Sequence, residues 1–399
     1  MEKDELAKIV AAAPHYPPPA LFDEALLNQL AEHGARLAKR NKTRLLIALF
    51  VGTVIGFSSG LLSLPFLPTL LVVFAIALGV GTYKARLVQT AYKQRRYDRC
   101  LQLLPDTIIW NAAWYPFTYF QLVACQTIEM NILLLEGRAL EFELVNRYLR
   151  AVQENKPVTS GIPKHWAFIN NLGVAWLIQQ KYKEAIEYFT AGLATKNLPA
   201  AYRLVMLSNL ALCQARSAQL DAADAALKEA FEKLGKKTVS VAGSRLYFIK
   251  AIVEFQRDEL EAAEKSIEDS QKFKGNTQEF CGAGMVLLAR IRHKQGRLDE
   301  AELHFRNGMD IQIMAENPDY LSLAENQHYF AHLLFDLGKY DYAQRALERA
   351  SSYYNFYVDR ETVAVSNFRK RISDPKSIRC STDLLTLTKR ERFLETRDI

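Results

Sequence analysis

Glycine and proline are scarce here, at 18 and 13 of 399 residues. Both residues weaken helix interiors, so their scarcity predicts long helices with few tight turns. Cysteine is scarcer still. The five cysteines, Cys100, Cys125, Cys213, Cys281 and Cys380, form no Cys-x-x-Cys pair. That excludes a dense disulfide framework and the usual structural zinc spacings, and it fits buried thiols in a reducing compartment. There is no phosphate-binding loop, no Gly-x-Gly-x-x-Gly and no Gly-x-Ser-x-Gly turn, so nucleotide binding and serine hydrolysis lack their signatures. Carboxylate pairs such as Asp258 and Glu261 belong to ordinary polar helix faces. His328 and His332 stand four apart, but the chain reads His-Tyr-Phe-Ala-His, without the glutamate of a zinc hydrolase and with no third ligand nearby. No catalytic, cofactor or metal site is therefore expected, and the chain is not expected to be an enzyme. The net charge of +7 and pI near 9.0 are too mild to imply nucleic acid. No cleavable signal peptide is expected, because the first apolar run begins at Leu45, behind a charged, proline-bearing segment.

That apolar run is conspicuous. Leu45 to Tyr83 contains no charged residue, and Pro65-Phe66-Leu67-Pro68 divides it. About 20 apolar residues cross a bilayer core, so the pattern predicts a transmembrane helical hairpin, Leu45–Leu64 and Phe66–Tyr83. Its flanks are basic on both sides, with Arg36, Lys39, Arg40, Lys42 and Arg44 before it and Lys84, Arg86, Lys93, Arg95, Arg96 and Arg99 after it. Positive flanks stay cytoplasmic, which predicts an integral membrane protein with both termini in the cytoplasm and a basic cluster within reach of anionic lipid headgroups. Gly52, Gly56 and Gly60 fall on one face, the small-xxx-small spacing that lets membrane helices approach, within the hairpin or between two copies.

Self-similarity dominates the second half. Ala185, Ala223, Ala263, Ala301 and Ala343 align. Tyr182, Leu220, Leu260, Leu298 and Tyr340 stand three residues earlier, and Phe189, Leu227, Ile267, Phe305 and Leu347 four residues later. Twelve residues earlier every position is small: Gly173, Ala211, Ala251, Ala289 and Ala331. The position before that is Leu172, Leu210, Lys250, Leu288 and Phe330, with Lys250 breaking the pattern. Small residues on two helices let their backbones meet while large neighbours fill the flanks, so each unit reads as a helical hairpin that stacks on the next.

The segments Asn171-Leu172-Gly173-Val174-Ala175-Trp176 and Tyr182-Lys183-Glu184-Ala185, echoed by Gly296-Arg297-Leu298-Asp299-Glu300-Ala301 and Gly338-Lys339-Tyr340, resemble the tetratricopeptide repeat (TPR) family. The resemblance covers roughly residues 163–373. The aligned alanines lie 38, 40, 38 and 42 apart, against about 34 in the family. The excess falls at Gly235-Lys236-Lys237, Gly275-Asn276 and Glu316-Asn317-Pro318. The family implies a concave groove, lined by the first helix of each repeat, that takes a peptide. Its chaperone-binding subtype clamps a C-terminal carboxylate from positions that correspond here to Asn170, Val174, Asn209, Arg245 and Ile249. Only Asn209 matches outright and Arg245 substitutes, so most of the clamp's charge-assisted bonds are missing. The candidate groove residues are Asn170, Asn209, Arg245, Arg290, His328 and His332.

The expected organisation is a cytoplasmic N-terminal segment (1–44), the hairpin (45–83), juxtamembrane helices with a degenerate or capping repeat (84–158), the repeat array (159–373) and a basic tail (374–399). The aromatic run Ile108–Phe120 would rest at a membrane interface or against the first repeat. The expected fold is all-α, a TPR-like solenoid of about five to six helical hairpins behind the membrane hairpin. The expected function is a membrane-anchored adaptor that recruits a protein partner. The alternative is a membrane-shaping or self-assembling protein whose array makes a homo-oligomer.

Overall fold

The computed structural model describes residues 2–374 apart from 61–65, 115–117, 136–137, 155, 159–160, 163–164, 236–240, 273–277 and 316–317. The chain divides into two compact units. The described residues of the first fall in Met1–Ala20 and Lys164–Thr362, those of the second in Leu21–Pro163 and from Val363 onward.

In the second unit, α2 (Glu24–Gly60), α3 (Phe66–Lys93), α4 (Tyr97–Ala113), α5 (Tyr119–Leu135) and α6 (Ala139–Glu154) follow α1 (Lys3–Ala11) of the first. Helix α2 opens on Asp23, whose carboxylate accepts the Leu26 amide at 2.7 Å, as an N-cap should. It buries Leu26, Leu30, Ala31 and Leu37. Gly34 is needed where α2 crosses α6, because a Cβ there would stand 2.7 Å from the Tyr148 carbonyl and 2.9 Å from the Ala151 methyl. Helix α6 carries buried Glu141 and Glu143, neutralised by Arg138 just before the helix and by Arg147 within it, the latter at 2.8 Å. An unpaired buried charge would be costly.

The transmembrane hairpin is not present as expected. Among the described residues, no helix is long and apolar enough to cross a membrane. The sequence pattern divided a continuous element. The amphipathic segment before Arg40 and the apolar stretch after Leu45 are one helix, α2, whose first half is charged and packs on α6. Similarly, α3 begins at Phe66, holds Pro68 in its first turn, where proline is tolerated, and ends in charged turns that bury Ala85, Val88 and Ala91. The integral membrane localisation falls with the hairpin. Gly52 is half-buried on α2, and the surroundings of Gly56 and Gly60 lie outside the described residues, as do the apolar turn and the basic tail beyond Asp374. Two rings of the aromatic run pack within their own unit. Trp110 stacks under Lys84 and Trp114 packs edge-on to Phe74, both on α3.

The first unit is the helical repeat. Its hairpins are α7 (Trp166–Ile178) with α8 (Tyr182–Leu193), α9 (Ala200–Arg216) with α10 (Leu220–Leu234), α11 (Val241–Gln256) with α12 (Leu260–Lys272), α13 (Gln278–Lys294) with α14 (Leu298–Met314), and α15 (Tyr320–Asp336) with α16 (Tyr340–Ile372) as far as Thr362. The aligned alanines on both sides of each hairpin are fully buried: Ala185, Ala211, Ala223, Ala251, Ala263, Ala289, Ala301, Ala331 and Ala343. Where a repeat has glycine or serine, the helices come closest. A Cβ on Gly173 would meet the Phe189 ring at 2.7 Å, and Ser244 Oγ donates to the Ser270 carbonyl at 2.9 Å. Lys250 keeps out of the core by pairing with Glu254 at 3.3 Å. Turns tie successive repeats by ion pairs with similar spacing: Arg257 with Asp221 at 2.8 Å, Lys294 with Asp258 at 2.8 Å and Lys339 with Glu302 at 2.6 Å. Exposed pairs of this kind add little stability singly, but they fix the register between repeats.

Candidate groove on the first helices

Polar groups recur at matching places on the first helices of the first, second and fifth repeats, and the third and fourth contribute Arg245 and Arg290 from other positions. On α7, Asn170 is buried, its amide donates weakly to Asn171 Oδ1 at 3.4 Å, and its own Oδ1 finds no protein partner. On α9, Ser208 occupies the matching place, three residues before the small residue, and its buried hydroxyl is likewise without a protein partner. Buried polar atoms are nearly always satisfied by protein, water or ligand, and neither of these two has a protein partner. Asn209 is buried and accepts from Arg245 Nη2 of α11 at 2.6 Å. That contact joins two of the expected groove residues across neighbouring repeats. It also places a guanidinium near Cys213, whose thiol burial pushes up to about 12.

Further along, Arg290 Cζ of α13 lies 3.9 Å from the centre of the Tyr329 ring of α15 and 4.8 Å from that of Phe255 of α11. Stacking on aromatic faces favours a guanidinium in place, and Arg290 also hydrogen-bonds to Tyr329. Burial lowers its proton affinity from the usual arginine value. Glu325 of α15 faces the same region, near Arg216 and Arg290, with the Gln180 side chain hydrogen-bonded to it. Burial raises the Glu325 carboxyl above the ordinary range, against the pull of Arg216. Gln180 sits in the α7–α8 turn in the left-handed region, φ 58°, so the last repeat's first helix reaches back to the turn of the first. Tyr182, just beyond that turn, has its phenol pushed up to about 12 by burial.

The two expected groove histidines separate. His328 is buried under the N-terminal segment: α1 packs along α15, Leu6 and Val10 join the apolar cluster around Phe330 and Ala331, and Tyr16 meets the His328 ring edge-on with centroids 6.4 Å apart. Burial lowers the His328 proton affinity, opposed by the carbonyls at the end of α1. Tyr354 anchors the segment further by donating to the Pro17 carbonyl at 2.8 Å. His332 instead turns towards His293 and Asp336. Sequence reasoning missed Ser208, Arg216, Glu325 and Tyr329. The repeat alignment held the signal, since Ser208 and His328 stand at the place of Asn170 and Tyr329 at that of Asn209. The chaperone-clamp template drew attention to only five positions. The template itself is not assembled here, because Val174 and Ile249 offer no charge and Arg245 is spent on Asn209.

A tetratricopeptide repeat model matches residues 145–201, from α6 through the start of α9. No curated protein matches the chain. Among solved structures, a Rap protein complexed with competence and sporulation factor is similar at 13% identity, covering 74% of this chain and 82% of that one, with a TM-score of 0.53. A Rap conjugation gene regulator in complex with the Phr* peptide (11% identity, 75% and 98% covered, TM-score 0.47) and NprR in complex with its cognate peptide NprX (12%, 74% and 89%, TM-score 0.46) are more distant. The family match and the Rap likeness agree with the helix pairing: the array is a TPR-like helical solenoid.

Proposed function

We propose that the array is a protein-interaction module whose groove takes an extended or helical segment of a partner polypeptide carrying an acidic group. The carrying observation is the row of polar groups on successive first helices: the unpartnered Asn170 Oδ1 and Ser208 Oγ, the Asn209–Arg245 contact, and the ring-stacked Arg290. Amide and hydroxyl groups in such a row suit the backbone of a bound segment, and the Arg290 guanidinium suits a carboxylate. The likeness to a Rap protein solved with a signalling factor supports the same reading. The fifth-repeat end around His328 is covered by α1, so the segment binds over the first four repeats. Glu325 limits the positive field there and selects against a highly acidic partner.

The test is selection of binders from a displayed random-peptide library against the full chain. Binders should carry an acidic residue, and binding should drop at least tenfold in Arg290→Ala and in Asn209→Ala. Lys265→Ala, on the second helix of the third repeat, should leave it unchanged. Binders insensitive to both groove variants would overturn the reading.

A further inference from the structure

His293, His332 and Asp336 form a cluster outside that peptide row. His293 is in the last turn of α13, and His332 and Asp336 are four apart on α15, so one turn of helix puts both beside α13. His293 Nε2 and Asp336 Oδ2 are 2.7 Å apart, His332 Nδ1 is 3.3 Å from the same oxygen, and the imidazole centroids are 5.3 Å apart. The three ligand atoms all lie within 4.8 Å of one another.

A plain histidine–aspartate hydrogen bond accounts for one of these contacts only. His332 Nδ1 makes no hydrogen bond although it faces the carboxylate. Asp336 is the last residue of α15, where the exposed carbonyls of the helix end repel a carboxylate. Among the described residues no lysine or arginine pairs with Asp336. Two imidazole nitrogens and a carboxylate oxygen converging on one point offer a divalent cation three protein ligands. The donor set of two imidazoles and one carboxylate suits zinc, cobalt or nickel and is poor for magnesium or calcium, which prefer all-oxygen shells. Tetrahedral ligands around zinc stand about 3.3 Å apart, so the two partly exposed side chains of α15 need only small rotations to admit the ion.

We propose that His293, His332 and Asp336 form a transition-metal site that clamps the fourth repeat to the fifth. Three protein ligands leave one coordination position for water or for a side chain of a bound segment. The sequence offered only the His328–His332 pair and no third ligand. The structure supplies the missing donors from the neighbouring helix and from the following turn.

The test uses the untagged full chain, stripped with chelator and titrated with zinc chloride by calorimetry and with cobalt chloride by visible absorption. One ion should bind per chain at micromolar or lower dissociation constant, cobalt should develop the intense absorption of a low-coordinate site, and the melting temperature should rise with zinc but not with magnesium. Affinity should fall as the solution is acidified, because the imidazoles must be unprotonated. His293→Gln and Asp336→Asn should each weaken binding at least tenfold while keeping the helical circular dichroism, whereas His304→Gln should not. No binding by the folded chain, or binding that survives both substitutions, would overturn the proposal.

Discussion

Gly173→Ala and Gly284→Ala are the same chemical change on equivalent first helices, yet the structure gives them opposite signs. Replacing a mid-helix glycine by alanine gains up to about 1 kcal/mol from backbone entropy. At Gly284 the new methyl would stand 3.8 Å from Ile267, an ordinary contact, so the gain is kept. At Gly173 it would stand 2.7, 2.9 and 3.0 Å from three atoms of the Phe189 ring. Phe189 is fully buried, so the ring has nowhere to go. Overpacking a close site costs about 1–3 kcal/mol, which exceeds the entropic gain. The entropic gain is common to both, so the two variants should differ by the overpacking cost, about 1–3 kcal/mol. At about 2–4 °C per kcal/mol for a unit of this size, their melting temperatures should separate by about 2–12 °C, with Gly284→Ala the higher. Hydrogen exchange should show the loss first in α7 and α8. Phe189→Leu trims the obstructing ring, so it should cost less in the Gly173→Ala background than alone. Additive effects, or a rise in both single variants, would mean that α7 and α8 do not meet at Gly173.

Glu325→Gln should raise stability at neutral pH, because burial raises the folded-state carboxyl above its unfolded value and ionisation therefore works against folding. The gain should vanish as pH falls below the unfolded value near 4.3, read from paired melts across pH. Cys100, Cys125 and Cys213 are buried, and burial pushes Cys125 and Cys213 up to about 12. These three thiols should resist iodoacetamide at pH 8 until denaturant is added, as judged by peptide mass spectrometry. Val10→Asp should release α1 from α15, since Val10 is almost wholly buried there. Exchange protection should disappear over residues 3–11 while α7 to α10 keep theirs.

The repeat array was legible because its constraint is local and periodic. A small residue must stand where two helices touch, and Gly173 with Ala185, or Ala289 with Ala301, recur at a fixed offset that survives in the sequence. Lys250 broke the pattern without breaking the fold, since a long side chain at the edge can turn outward to Glu254. Composition misled at Leu45–Tyr83. Hydropathy averaged over that run ignores where helices begin, and α2 begins at Glu24, with its charged half packed on α6. The groove was half legible. Asn209 and Arg245, both named as groove candidates, touch each other, a contact the alignment did not foresee, and Arg290 packs on Tyr329 and Phe255, from two other helices. His332 acquired partners 39 residues before it and four after it. The covering of His328 by α1 could not be read at all, because it joins segments more than 300 residues apart through a few apolar contacts.

The central claim is that the first helices, and not the second, face the partner. It is tested most directly by hydrogen exchange of the full chain with and without a saturating selected peptide. New protection should appear on α7, α9, α11 and α13, around Asn170, Asn209, Arg245 and Arg290. Protection confined to α8, α10, α12 and α14, or to the helices between Glu24 and Glu154, would contradict it.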